Sequence, residues 1–122
     1  MVKALFDTCI LIDYLNGIQS AKDEIELFKD KAISTITWME VMVGGDKNPQ
    51  INIEQWLSQT FTIINLDQPI SIKSVEIRKS RKIKLPDAII HATALVSERL
   101  LVTRNTKDFS DSDPTVRIPY HI

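Results

Sequence analysis

The prediction of the fold starts from residues Leu85–Leu95, LPDAIIHATAL. Proline is well tolerated in the first turn of a helix, so Pro86 and Asp87 predict a helix start, followed by an apolar body rich in small residues. The carboxylate of Asp87 then lies at a helix N-terminus. Taken alone, such a carboxylate is explained by capping of free N–H groups and by a favourable interaction with the helix dipole.

Apolar runs and helical patterns alternate along the rest of the chain. Strands are predicted at residues 2–6, 32–36, 61–66, 100–103 and, as a last edge strand, 116–118. Helices are predicted after Asp7, from about Ser20, from Thr37, from Asn52 and from Pro69. This alternation predicts an α/β fold with a largely parallel sheet and helices on both of its faces.

Acidic and amide side chains gather where the predicted strands end. Asp7 follows the first strand, and Asn105 and Asp108 follow the strand at 100–103. Glu40 and Asp87 fall in the first turn of a predicted helix. Because parallel sheets bind ligands outside the carboxyl ends of their strands, we expect these side chains to converge there.

Glu40 also has a purely structural explanation. Thr37 and Glu40 have the spacing of a capping box, in which the two side chains satisfy free N–H groups at the start of a helix. The sequence alone leaves both interpretations open.

Length and composition indicate one globular domain over residues 1–122, since 43% hydrophobic residues suit a single core. No apolar run approaches the roughly 18 residues of a membrane span, and a lone Lys3 before Asp7 does not resemble a signal peptide. We expect a cytoplasmic protein without membrane contact. Cys9 is the single cysteine, and it is interpreted as a small buried hydrophobe.

The net charge of −1 does not indicate nucleic-acid binding, but the distribution of charge is uneven. The segment just before Asp87 contains six basic residues and only one acid, Glu76. The basic residues are Lys73, Arg78, Lys79, Arg81, Lys82 and Lys84. Such a run is commonly a solvated helix face. Beside an acidic site, it also provides a surface that holds a polyanionic substrate.

Several carboxylates in one place repel each other unless a cation offsets their charge. An all-oxygen set without a cysteine cluster or histidine pair disfavours zinc and suits Mg²⁺ or Mn²⁺. The chemistry that fits is hydrolysis of a phosphodiester, in which the cation orients the phosphate and lowers the pKa of a bound water.

Four segments resemble the signature segments of PIN-domain ribonucleases, specifically the VapC-like toxins of toxin–antitoxin pairs. They are Leu5–Thr8, Ile36–Glu40, Leu85–Ala94 and Leu101–Phe109. The resemblance implies a three-layer α/β/α fold, Mg²⁺- or Mn²⁺-dependent endoribonuclease activity on tRNA or another translation RNA, and a homodimer. It also implies inhibition by a cognate antitoxin, which is the component that binds operator DNA.

Carried over residue by residue, the resemblance assigns metal binding to Asp7, Glu40 and Asp87. Asn105 stands where many PIN domains have Asp, and Asp108 is the other candidate for that fourth position. Thr8 and Thr103 resemble the hydroxyl residues that orient the acids, although helix capping and strand termination explain them equally well. The basic face from Lys73 to Lys84, with Arg104, is expected to hold RNA phosphates.

His91 lies four residues after Asp87, on the same helix face. We interpret it as a partly buried, hydrogen-bonded histidine in preference to a metal ligand or proton carrier. The aromatic residues Phe28, Trp38, Trp56 and Phe61 are interpreted as core and not as platforms for stacked bases.

Two other functions remain open. A PIN-like module without catalysis would bind RNA or a protein, although it has no evident need for crowded acids. A phosphoryl-transfer or receiver-like domain also places acids at strand ends, but Asp7-Thr8-Cys9 lacks the paired acids that such a domain usually has after its first strand.

Overall fold

A computed structural model describes residues 1–45 and 50–122. The strands within these ranges are β1 (Lys3–Phe6), β2 (Asp30–Ser34), β3 (Thr62–Ile64), β4 (Leu100–Val102) and β5 (Val116–Arg117). The helices are α1 (Thr8–Leu15), α2 (Gln19–Leu27), α3 (Thr35–Gly44), α4 (Ile53–Thr60), α5 (Gln68–Ser80) and α6 (Leu85–Val96).

The strands form one sheet in the order β3-β2-β1-β4-β5, and every neighbouring pair is parallel. Leu5 of β1 is in register with Ala32 of β2 on one side and with Leu101 of β4 on the other. β1 therefore occupies the centre of the sheet, so that the carboxyl ends of β1, β2 and β4 lie side by side.

Side chains alternate between two cores on opposite faces of the sheet. Phe6 of β1 belongs to the core formed with α1 to α4, which includes Leu11, Val41 and Leu57. Leu5 belongs to the core formed with α5 and α6, which includes Ile70. The sheet thus separates two helical layers, and the predicted three-layer α/β/α fold is confirmed.

The predicted boundary between the second strand and its helix is wrong. β2 ends at Ser34, and α3 begins at Thr35, because the hydroxyl of Ser34 accepts the backbone N–H of Thr37 at 3.1 Å. Thr37 is therefore inside the helix, and it does not form the predicted capping box with Glu40. By contrast, the predicted helix start at Asn52 is confirmed, since its side chain accepts the N–H of Gln55 at 3.1 Å.

The aromatic residues pack in the core as predicted. Phe6 makes edge contacts with Phe28 and Phe61, each at 5.8 Å between ring centroids. Trp56 stacks on Tyr14 at 4.5 Å, and Trp38 packs against the same core. No helix in the described ranges has the length and apolar character needed to cross a membrane. The sequence also predicts a loop at 44–49, of which Gly44 is instead the last residue of α3 and 46–49 lie outside the described residues.

Candidate active site

Asp7 connects the central strand to α1 and is held by both of its carboxylate oxygens. It is the N-cap of α1, where Oδ1 accepts the N–H of Thr8 at 2.8 Å. Oδ2 accepts the hydroxyl of Thr103 at 2.7 Å, across from β1 at the end of β4. With only 5% of its surface exposed, Asp7 is a buried carboxylate with a fixed orientation.

Glu40 lies in the second turn of α3 and points toward the same strand end. Its Oε1 accepts the hydroxyl of Thr8 at 2.7 Å, and that hydroxyl also lies 3.1 Å from Oγ1 of Thr37. Thr8 therefore links Glu40 to the start of α1.

Asp87 lies in the first turn of α6, after Pro86. The start of α6 has no side-chain cap hydrogen bond, and its N-cap residue is Lys84. The carboxylate of Asp87 therefore does not cap the helix, although capping was a possible structural explanation for it. The charge still benefits from the helix dipole, but its oxygens remain available to the cleft.

Asn105 and Asp108 lie on one turn after β4 and contact each other. The Asn105 amide donates to Oδ2 of Asp108 at 3.0 Å, and the Asp108 N–H donates to Oδ1 of Asn105 at 3.3 Å. The backbone N–H of Asn105 donates to the hydroxyl of Thr103 at 3.0 Å, which ties the turn to Asp7. The two candidates for the fourth acidic position thus form one unit.

Three of the predicted acids, Asp7, Glu40 and Asp87, share a cleft of about 440 Å³ at the carboxyl edge of the sheet, whereas Asp108 does not line it. Its walls are Asp7, Thr8, Cys9, Glu40, Asp87, Arg104, Asn105, Thr106 and Lys107. Residues far apart in the sequence are thus brought together by the parallel strands, as the positions of the strand ends predict.

The environment of this cleft disfavours the ionised form of the Asp7 and Asp87 carboxyl groups. Burial raises the pKa of Asp7, and the charge of Glu40 adds to it, while hydrogen bonds from Thr103 and Thr8 act in the opposite direction. For Asp87, burial and then the charges of Asp7, Asp108 and Glu40 raise the pKa to about 6. These carboxylates repel one another when ionised, and a cation bound between them would relieve that repulsion.

Among residues 1–45 and 50–122, no three His, Cys, Asp or Glu side chains are arranged as a ready-made set of metal ligands. Cys9 lies 3.8 Å from Oδ2 of Asp7, and burial raises the pKa of its thiol to about 11. The thiol is therefore protonated at neutral pH and is a poor ligand and nucleophile. It packs against the core but remains half-buried at the cleft wall.

A second cleft of about 670 Å³ adjoins the acids on the α6 side. Asp87, Asn105 and Asp108 form one wall, and four cations are among its remaining lining residues: Arg78, Lys82, Lys84 and Lys107. Lys107 was not among the residues predicted to bind phosphate, because the run of basic residues ends at Lys84. Its only sequence signal is its place in the Leu101–Phe109 segment, two residues after Asn105.

We call this second cleft the basic cleft. The other residues predicted to bind phosphate do not line it. Lys73 forms an exposed ion pair with Glu76 at 3.4 Å, and Lys79 is exposed on α5. Arg81 donates to the backbone carbonyl of Asp108 at 2.7 Å. These three residues were grouped with the cleft residues because charge along a sequence does not show where a guanidinium or ammonium points.

Arg104 is bound to Asp13, a buried acid that no sequence pattern singles out. Its guanidinium donates to both oxygens of Asp13, at 2.6 and 2.9 Å, and the Tyr120 hydroxyl donates to the same carboxylate at 2.8 Å. Asp13 is only 4% exposed, so this pairing satisfies a charge that would otherwise be buried alone. Arg104 lines the acidic cleft, and its guanidinium is already bound to Asp13.

His91 does not contact the acids. Its Nδ1 lies 3.0 Å from Nη2 of Arg81, its Nε2 lies 3.3 Å from the Thr115 hydroxyl, and its ring meets Phe109 edge-on at 5.4 Å. Burial, and then the charge of Arg81, lower the pKa of His91. The structure agrees with the prediction of a hydrogen-bonded histidine, and His91 is more buried than predicted, at 6% exposure.

Comparisons with known proteins agree with this geometry. The family model described as PIN domain matches residues 4–113. Ribonuclease VapC1 of Methanocaldococcus jannaschii is 31% identical over 112 residues, covering 88% of this chain and 79% of that protein.

Two solved structures are similar over nearly the whole chain. A chain of a toxin–antitoxin complex from Klebsiella pneumoniae is 50% identical with a TM-score of 0.89, covering 98% of this chain and all of that one. A chain of VapBC2 from Rickettsia felis, bound to a DNA fragment from its promoter, is 25% identical with a TM-score of 0.71, covering 95% and 96%. The resemblance of the four segments is confirmed, and the chain belongs to the PIN domain family.

Proposed function

We propose that the chain is a metal-dependent endoribonuclease that hydrolyses RNA phosphodiester bonds, and that it is the toxin of a toxin–antitoxin pair. The observation that carries the proposal is the convergence of Asp7, Glu40 and Asp87 on one cleft that continues into a basic one. A ribonuclease among its relatives, at 31% identity, supports the activity. The substrate proposed from the family resemblance is tRNA or another translation RNA.

The donor set fits Mg²⁺ or Mn²⁺. Mg²⁺ usually keeps several waters and binds through one or two carboxylates, so it does not need a closed set of protein ligands. The carboxylates that would hold the ion, directly or through its waters, are those of Asp7, Glu40 and Asp87, and their mutual repulsion would be relieved by its charge. The bound cation supplies phosphate polarisation and a water of lowered pKa.

The protein's own groups orient the reaction. Thr103 and the N–H of Thr8 fix the Asp7 carboxylate, and the Thr8 hydroxyl fixes Glu40. These contacts keep the acids in place before substrate arrives, so that little reorganisation is needed. Asn105 and Asp108 complete the rim of the cleft next to Asp87.

The basic cleft supplies the electrostatic attraction for RNA. Arg78, Lys82, Lys84 and Lys107 are placed beside the acids, where phosphates flanking the scissile bond would lie. Each phosphate contact releases counterions, so binding through these residues weakens as salt concentration rises. Lys73, Lys79, Arg81 and Arg104 are not part of this proposed phosphate site.

We propose a cognate antitoxin as the protein partner, since the similar Klebsiella chain is part of a toxin–antitoxin complex. Contact with operator DNA is proposed to occur only through that antitoxin. A homodimer is also proposed, because α5 presents exposed apolar side chains on its outer face, Ile72 at 55% and Val75 at 49% exposure. The chain is proposed to act as a single domain in the cytoplasm.

The test uses purified protein freed of antitoxin and incubated with total cellular RNA in Mg²⁺ or Mn²⁺. We expect discrete fragments that disappear with EDTA and in Asp7→Asn and Asp87→Asn. Asp111→Asn is the matched control, since Asp111 is an exposed acid outside both clefts. Equal cleavage by all variants would identify a contaminating nuclease and contradict the proposal.

A binding module without catalysis is the competing function. It predicts that the protein retains RNA in a gel-shift assay but leaves it intact at every metal concentration. The crowded acids argue against it, because an RNA-binding surface gains nothing from carboxylates that repel the phosphates.

A further inference from the structure

Arg81 uses its guanidinium to hold protein groups. Nη1 donates to the backbone carbonyl of Asp108 at 2.7 Å, and Nη2 contacts Nδ1 of His91 at 3.0 Å. The guanidinium carbon also lies 5.3 Å from the centre of the Phe109 ring. Both ends of the planar fork are thus engaged, and the aromatic ring covers one side.

The hydrogen-bond chain around His91 has a fixed direction. Arginine is always a donor, so Nδ1 of His91 must accept, and the ring proton is on Nε2. Nε2 then donates to the Thr115 hydroxyl at 3.3 Å, and that hydroxyl donates to Oδ1 of Asp113 at 2.6 Å. Because His91 is only 6% exposed, these partners hold its ring and thereby the position of Nη2.

The backbone carbonyl of Asp108, to which Arg81 donates, belongs to the turn that carries the fourth acidic position of the site. Asp108 is bonded through its side chain and its N–H to Asn105, and both residues line the basic cleft beside Asp87. Arg81 follows the end of α5, far from this turn in sequence, so its bond ties the two walls of the cleft together.

We propose that Arg81, seated on His91, is a positioning residue that fixes the Asn105–Asp108 turn against the mouth of the active site. The role in catalysis rests on the proposed nuclease function. Arg81 does not act as a phosphate contact, although it lies within the basic run.

The experiment compares Arg81→Lys with wild type. Lysine keeps the charge but lacks the fork, so it cannot hold the Asp108 carbonyl and His91 together. Hydrogen exchange of amides 105–109, measured by mass spectrometry or NMR, is expected to become faster by about tenfold, as for loss of roughly one hydrogen bond. RNA cleavage is expected to lose about tenfold to a hundredfold in kcat with little change in KM.

Arg99→Lys is the matched control. Arg99 bridges the Ala4 carbonyl and Asp30 at the amino ends of the strands, away from the clefts, and its side chain is 11% exposed. Both bonds come from Nη1, so this variant replaces another buried guanidinium by an ammonium and should be less stable to urea, while exchange at 105–109 and kcat stay at wild-type values.

The outcomes separate the positioning role from the alternatives. Unchanged exchange at 105–109 in Arg81→Lys would overturn the proposal, whether or not the protein cleaves RNA. A rise in KM at constant kcat in that variant would also overturn it, because it would identify Arg81 as an RNA contact. Faster exchange in a protein that cuts no RNA would support the anchor and contradict only the nuclease function.

Discussion

Asp87 is an acid whose unusual pKa is created by the fold around it. Its helix begins with Pro86, so the carboxylate is fixed in the first turn of α6 and projects to the edge where β1 and β4 end. Burial and the charges of Asp7, Asp108 and Glu40 together outweigh the nearby Lys84 and raise its pKa to about 6. The native protein therefore binds this proton more tightly than the unfolded chain does.

Asp87→Asn should stabilise the metal-free protein at neutral pH. Ionisation of Asp87 costs native stability as the pH rises from about 4 to about 6, and the loss persists above that range. After allowance for solvent screening, we expect a gain of about 1 kcal/mol at about pH 7 and almost none near pH 4. Urea denaturation in EDTA at both pH values measures it.

Asp111→Asn, an exposed acid outside the clefts, is the control and should show no pH-dependent difference. Excess Mg²⁺ or Mn²⁺ should stabilise wild type more than Asp87→Asn. An Asp87→Asn protein that is less stable than wild type at neutral pH would show that the helix dipole, and not charge repulsion, dominates at this position.

The strand-end acids and the threonines beside them were predictable from sequence, while the contacts that hold the surrounding basic residues were not. Asp7 directly follows an apolar run, and parallel topology brings such positions together. The Arg81–His91 contact and the Asp13–Tyr120 bond, in contrast, join distant segments whose mutual placement is set only by packing. A run of basic residues therefore shows where cationic side chains are abundant. It does not show which of these side chains already form hydrogen bonds or ion pairs within the protein.

At the scale of elements, the start of α3 shows why boundaries are harder to predict than the elements themselves. Ser34, Thr35 and Thr37 all carry hydroxyls that can cap a helix. The choice depends on where β2 stops pairing with β3, and the last pair in register is Ser34 with Ile64. Ser34 thus ends the strand and caps the helix, which places Glu40 in the second turn, facing Thr8.

Ser34→Ala should lower the free energy of unfolding by about 1 kcal/mol, because the N–H of Thr37 loses its acceptor in a buried place. Asn52→Ala, at the cap of α4, should show a loss of about the same size, and Ser58→Ala, exposed inside α4, almost none. Equilibrium urea titration measures all three. If Thr37→Val were instead costly and Ser34→Ala neutral, the capping box at Thr37 and Glu40 would be the better description.

At the scale of the whole molecule, the two cores on either side of the sheet leave apolar side chains outside both. The inner face of α5 is defined by Ile70 at 1% and Ile77 at 8% exposure. Ile72 and Val75, three residues apart, share an outer face at 55% and 49% exposure. An isolated exposed apolar residue is ordinary, but a pair on one helix face suits the proposed contact with a second copy of the chain.

Substitution of this outer face should therefore change the oligomeric state. The double variant Ile72→Lys and Val75→Lys places charge in the middle of the proposed interface. We therefore expect the dimer to dissociate to monomer, as measured by sedimentation velocity at micromolar concentration. Leu27→Lys is the matched control, since Leu27 is equally apolar and 62% exposed, but lies on α2. A dimer that survives the double substitution would exclude α5, and dissociation by Leu27→Lys would move the interface to the layer of α2.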